Sequence, residues 1–180
     1  MDGTPARIDT ETAVRARYEA AAKEREAALC CPVLYDPRWL ERIPQEIKDK
    51  DYGCGDPSAY VREGDVVLDL GSGGGKICYI ASQVVGPKGR VIGVDMNDAM
   101  LALARKYQQS VGDAIGWHNV EFKKGRIQDL ALDLELLEDH LARLPVRTSE
   151  ELGALESWIA GQKRERPLVP TASVDVVVSN

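Results

Sequence analysis

From residue 65 onward, the apolar positions fall into two alternating rhythms, short continuous runs and longer amphipathic stretches. DVVLDLG at 65–71 is almost wholly apolar, the pattern of a strand buried on both faces of a parallel sheet. ICYIASQVV at 77–85 reads as a helix closed by Gly86-Pro87, and RVIGVD at 90–95 as a second strand. NDAMLALARKYQQSV at 97–111 reads as a helix capped by Asn97 or Asp98, with Met100, Leu103, Ala104 and Tyr107 on one face. NVEFKKG at 119–125 is a third, more polar strand, and SVDVVVSN at 173–180 is an apolar, β-branched fourth. This alternation predicts an α/β fold, a right-handed, doubly wound and mostly parallel sheet.

The flanking pattern differs. TETAVRARYEAAAKEREAA at 10–28 is dense in helix formers, with Thr10 or Thr12 as caps and Val14, Tyr18 and Ala21 on one face. Cys30-Cys31-Pro32 ends it, and prolines and glycines punctuate 32–60 into short pieces. The expected organisation is an N-terminal helical, cysteine-bearing cap over 1–60 and an α/β domain over 61–180. Residues 131–170 hold two amphipathic helices joined at Pro145, with Thr148-Ser149 and Glu151 as a cap. A crossover needs only a dozen or so residues, so 131–170 reads as a helical insertion, with His140 and Trp158 as helix-face residues. The chain runs to Asn180 without a turn or stop signal after Val178-Ser179. The sheet is therefore expected to be incomplete at the C-terminus, the chain being the N-terminal part of a longer protein.

Composition narrows the function classes. The 180 residues are 44% hydrophobic and 29% charged, suited to one soluble domain. No apolar run approaches the roughly 18 residues that a membrane span needs, and the first thirty residues do not read as a secretory leader. A cytoplasmic protein without a membrane partner is expected. The net charge of −6 argues against a nucleic-acid partner, whose backbone needs a basic face. Four cysteines do not make a disulfide scaffold, leaving metal or metalloid binding, catalysis and burial.

The strongest local signal is Asp69-Leu70-Gly71-Ser72-Gly73-Gly74-Gly75, between a buried strand and a helix. Glycines let a ligand approach the backbone closely, and the helix start offers free N–H groups. Lys76 stands where a dinucleotide loop has its third glycine, and the acid before the first glycine would repel a pyrophosphate. An acid there suits an ammonium, which points to S-adenosylmethionine as cofactor. Asp95, closing the second strand, can take both ribose hydroxyls. Met96 can lie on the adenine face, and the turn Gly125-Arg126-Ile127-Gln128-Asp129 can meet the adenine edge.

Set beside Tyr52-Gly53-Cys54-Gly55-Asp56-Pro57, these motifs resemble the arsenite methyltransferases, a class I, Rossmann-like methyltransferase family. The resemblance rests on the Cys30-Cys31 pair, YGCGDP, VLDLGSGGGK, VIGVDMNDAMLALAR, FKKGRIQDL and SVDVVVSN, and leaves 131–170 unmatched. It implies methyl transfer to trivalent arsenic held by thiolates, arsenic being soft and thiophilic. It implies Cys54 as an arsenic ligand and catalytic residue, Cys31 as the mobile N-terminal ligand with Cys30 as the alternative, and Tyr52, Gly53 and Asn180 near the cofactor. The implied cofactor set adds Asp69, Gly71, Ser72, Gly73, Asp95, Met96, Arg126 and Ile127. The implied substrate is arsenite or its thiol conjugates, with glutathione or thioredoxin as reductant. Cys78 has no counterpart and reads as core. The rival readings are a class I methyltransferase for a small organic substrate, and a truncated chain that binds cofactor or metalloid without catalysis.

Overall fold

The computed structural model of the chain describes residues 35–50 and 55–179. The helix expected over 10–28 lies outside them. Four strands, β1 (Val66–Leu70), β2 (Arg90–Asp95), β3 (Val120–Lys124) and β4 (Val176–Ser179), form one sheet in the order β3-β2-β1-β4. All three pairings are parallel, in the register Val67 with Val91 and Val176, and Val91 with Val120. The chain winds outward from β1 to β3 and then returns to the other side of β1. The winding direction therefore reverses between β1 and β4. The doubly wound α/β expectation holds, and ligands of such sheets bind outside the carboxyl ends of the strands at that reversal.

The cap contributes two short helices, α1 (Pro37–Leu40) and α2 (Gln45–Asp49), and a 3-10 turn at Pro57–Tyr60. Ile43 and Ile47 of the cap join the larger of two apolar clusters. Between β1 and β2 runs α3 (Lys76–Val85), and between β2 and β3 runs α4 (Asp98–Ile115). Both pack on one face of the sheet with Val67, Val91 and Phe122. Tyr79 of α3 is fully buried there, edge-on to Phe122, and its hydroxyl donates to the Ala104 carbonyl at 2.6 Å. Asn97 is the cap of α4, accepting from the Ala99 and Met100 N–H groups. This helix runs a turn beyond the expected end at Val111. Gly112 lies inside it, where a side chain would strike the His118 ring, 2.1 Å from the Cβ position. Gly116, in the left-handed region, ends it.

The segment expected as an insertion forms α5 (Leu134–Arg143) and α6 (Ser149–Glu165), with the Thr148–Glu151 capping box in place. Neither helix contains a buried residue. Their stem, in contrast, is built into the second face of the sheet. Leu168 packs with Leu68, Ile92 and Val94, beside partly buried Leu130, Val169 and Val174. The Leu168 and Val169 N–H groups donate to the Ala131 and Leu130 carbonyls at 3.1 and 2.9 Å, closing the neck of the hairpin. His140 and Trp158 stack on one another 4.0 Å apart, joining the two helices. No helix among the described residues is long and apolar enough to cross a membrane.

Candidate functional site

The described candidate residues sit at or just beyond the carboxyl ends of the strands. β1 delivers Asp69, a carboxylate 2% exposed, and then turns through Gly71–Gly75 into α3. The Gly71 and Ser72 N–H groups donate to the Val94 carbonyl at 2.8 and 3.1 Å, which pins the glycine turn across the end of β2. Gly75 caps α3 at φ +85°, and a side chain there would also strike Phe122, 2.6 Å from the Cβ position. Gly93 in β2 makes room of the same kind, its Cβ position lying 2.8 Å from Cys78 Sγ and 2.9 Å from Ser72 Cβ. The glycine turn is therefore packed against its neighbours as well as sharply bent.

Asp95 closes β2. Its Oδ2 accepts from the Gly73 N–H and its Oδ1 from the Asn97 N–H, both at 2.8 Å. One carboxylate thus ties the glycine turn to the start of α4. Burial pushes its pKa up, and the N–H groups of Asn97, Gly73 and Met96 pull against that shift. With the Gly73 and Asn97 N–H groups on opposite oxygens and that of Met96 beside them, the carboxylate still has acceptor capacity for a ligand hydroxyl.

β3 ends at Lys124, and Gly125 begins the third turn, its N–H donating to the Asp95 carbonyl at 2.9 Å. Arg126 and Asp129 form an antiparallel bridge that bends the turn, leaving Arg126 exposed and Ile127 51% exposed. Met96 is half-buried beside Asp95. Asp69, Gly71, Ser72, Gly73, Asp95, Met96, Arg126 and Ile127 thus gather at the carboxyl ends of β1, β2 and β3 and in the turns that follow them. Cys30, Cys31, Tyr52, Gly53, Cys54 and Asn180 lie outside the described residues. Among the described residues no cluster of His, Cys, Asp and Glu has the makings of a metal site.

Two features escaped the sequence reading. Ser72 Oγ and Asn97 Nδ2 are buried without a hydrogen-bond partner among the described residues, one on the glycine turn and one beside Asp95. A buried polar atom left so is costly unless a ligand or water meets it. Lys76 is buried at the start of α3 with its ammonium 3.9 Å from the Tyr35 ring of the cap, and the Tyr35 hydroxyl donates to the Gly55 carbonyl at 2.9 Å. The glycine turn and the residue following Cys54 are thereby linked through one aromatic ring.

A family profile described as a methyltransferase domain matches residues 62–140. The arsenite methyltransferase of Aquipseudomonas alcaligenes is 37% identical over 121 residues, 65% of this chain and 35% of that protein. The arsenite methyltransferase of Halobacterium salinarum is 48% identical over 84 residues, 46% of this chain and 20% of that protein. A 2-phytyl-1,4-naphtoquinone methyltransferase of Synechococcus elongatus is 35% identical over 79 residues, 44% of this chain and 31% of that protein. The crystal structure of an arsenic (III) S-adenosylmethionine methyltransferase from Chlamydomonas reinhardtii superposes with a TM-score of 0.54 at 31% identity. It covers 83% of this chain and 40% of that one. The chain therefore spans well under half the length of these relatives.

Proposed function

For a chain that carries a methyltransferase domain of the class I fold, we propose methyl transfer from S-adenosylmethionine to trivalent arsenic held by cysteine thiolates. When bound, this cofactor supplies an electrophilic methyl group on a sulfonium. The residues present fit it. Gly71 has nothing within 4 Å of its Cβ position, leaving open space where the backbone turns. The carboxylates of Asp69 and Asp95 suit an ammonium and a pair of ribose hydroxyls, and neither suits a phosphate. Ser72 Oγ and Asn97 Nδ2 offer polar atoms that still need partners.

The observation that carries the cofactor half is Asp95, held by backbone N–H groups from two turns with lone pairs to spare. Its role is to accept from the ribose and so fix the nucleoside. Asp69 holds the amino-acid end, and the Arg126–Asp129 turn borders the adenine. The protein then contributes mainly position, since methyl transfer from a sulfonium needs alignment of donor and acceptor more than activation. The substrate half rests on Cys54, between two glycines in YGCGDP, with Cys31 or Cys30 as its companion, and on the likeness to the arsenite methyltransferases. A thiol such as glutathione or thioredoxin keeps these cysteines reduced, and a cytoplasmic setting suits that requirement.

The decisive experiment uses the full-length protein with arsenite, reduced thiol and S-adenosylmethionine, following S-adenosylhomocysteine and methylated arsenic together. Product that needs arsenite and is lost in Cys54→Ser supports the reading. Turnover unchanged in Cys54→Ser overturns it. The quinone methyltransferase likeness favours a second reading, a small organic acceptor. Turnover with such an acceptor that survives thiol blocking would support that alternative.

A further inference from the structure

Lys124 is the most buried cation at the site's edge that the proposed chemistry does not use. It is 4% exposed, at the last position of β3. Its ammonium lies 2.6 Å from Asp98 Oδ1 and 2.7 Å from Glu138 Oε2, so it joins the first turn of α4 to α5. Burial alone would lower its pKa, but Asp98 and Glu138 outweigh that and raise it. Lys163 of α6 pairs with Asp129 at the far end of the same turn. The two hairpin helices thus grip residues 125–129 at both ends, Glu138 through Lys124 and Lys163 through Asp129. Leu168 of the stem fills the space beside Gly125, 2.3 Å from its Cβ position. Arg105 adds a third tie, donating to Glu135 of α5 and to the Phe122 carbonyl.

The charges do what apolar burial does elsewhere. Neither α5 nor α6 buries a residue, so these ion pairs and the stem set where the hairpin stands. Exposed ion pairs contribute little, but a buried ammonium that loses a partner is left uncompensated. Lys124 is therefore the tie with consequences.

We propose that Lys124 is a positioning residue that couples the α5–α6 hairpin to the nucleoside end of the cofactor pocket. Through it, Glu138 acts on cofactor affinity without touching the ligand. The inference rests on the cofactor reading above and extends it to the α5–α6 hairpin. Lys124 keeps Asp98 drawn toward β3, next to Asn97 and Asp95, and keeps Gly125–Asp129 against the hairpin. Ordering that turn in advance reduces what binding must order.

The test uses the full-length protein and S-adenosylhomocysteine, the unreactive product, by calorimetry. Glu138→Gln is the main variant because the Glu138 side chain is half exposed and Asp98 remains to pair with Lys124. Lys124→Met and Lys124→Arg accompany it. The expected result is a five- to tenfold weaker Kd in Glu138→Gln with a melting temperature lowered less than in Lys124→Met, and partial recovery in Lys124→Arg relative to Lys124→Met. Hydrogen exchange gives the second readout. Ligand slows exchange of the 134–165 amides in the unmodified protein and fails to do so in Glu138→Gln. A Kd within twofold of the unmodified protein, with ligand-dependent protection of the hairpin retained, overturns the coupling. Failure of the unmodified protein to bind S-adenosylhomocysteine overturns the cofactor reading instead, and the two failures are separate results.

Discussion

The thiol of Cys78 donates to a carboxylate oxygen of Asp69 across 3.3 Å, beneath the glycine turn. Cys78 is fully buried, and burial first, then the Asp69 charge, pushes its pKa well up. It therefore stays a neutral donor rather than a nucleophile, and what it donates to is the acid assigned to the cofactor's ammonium. Alkylation of the native protein followed by mass mapping should leave Cys78 unmodified until the chain is unfolded. Cys78→Ala should destabilise by about 1–3 kcal/mol in urea titration, through the lost packing and the unmet carboxylate. Rapid native labelling of Cys78 would contradict this arrangement.

Asp95 should make cofactor binding sensitive to acid. Its pKa is raised by burial, so on lowering pH it takes up a proton sooner than an ordinary carboxylate does. The protonated form loses one acceptor for the ribose, so affinity should fall on that side and recover above it. The raised value also means that ionising Asp95 opposes folding of the free protein as pH rises through its pKa. Asp95→Asn should weaken S-adenosylhomocysteine binding by about tenfold or more, on the scale of a lost charged hydrogen bond, and should flatten the acid limb. Calorimetry across the acid range checks both, and a limb retained in Asp95→Asn would assign it to another group.

Gly125 is a packing test of the stem. A methyl at Gly125 would fall 2.3 Å from Leu168 Cδ2 and 3.2 Å from Val94 Cγ1. Gly125→Ala should cost about 1–3 kcal/mol as an overpacked site. Leu168→Ala should also destabilise, by about 2–4 kcal/mol through the cavity it leaves. The double variant should be clearly less damaged than the sum, because the new methyl enters the space vacated. Additive effects in a double-mutant cycle would mean that Leu168 does not face Gly125.

The cap should show its attachment in acid. Glu46 of α2 accepts from Lys106, Tyr107 and Lys50, and in that order these lower its pKa from the ordinary 4.5 to about 2. A depressed carboxylate stabilises the fold above its unfolded pKa. That contribution should fade as pH falls from about 4.5 to about 2. Glu46→Gln should lose the contribution at neutral pH and show a shallower fall through the same window. Thermal melts at graded pH measure it, and parallel acid limbs for the two proteins would rule the network out.

Element type and the parallel sheet were legible because buried parallel strands read as continuous apolar runs. RVIGVD gives β2 its bounds to the residue, and Asn97 caps α4 as the sequence suggests. The end of α4 was not legible: the apolar face gives out near Val111, whereas the helix runs on to Gly116, and Gly112 inside it is where the His118 ring leaves no room for a side chain. At the site, Asp69, the glycine turn and Asp95 announce themselves by spacing. Lys124 does not, because a lysine ending a polar strand reads as solvated, and its two carboxylates come from 26 residues before and 14 residues after it. The orphan Asn97 Nδ2 was hidden for a similar reason, since the capping role already accounts for an asparagine there.

The neck at Leu130-Ala131 and Leu168-Val169 brings together two points of the chain separated by more than thirty residues and holds them by paired backbone hydrogen bonds. Apart from the ion pairs to Lys124, Arg105 and Asp129, everything beyond that neck is, for the sheet, a single closed loop, and the entropy of closing a loop grows only slowly with its length. The hairpin can thus lengthen, shorten or be exchanged without asking the sheet to refold, provided a carboxylate still meets Lys124. A short turn grafted across the neck should leave an intact α/β layer. A chain built this way can trial new surface segments beside its ligand pocket while the scaffold beneath stays the same.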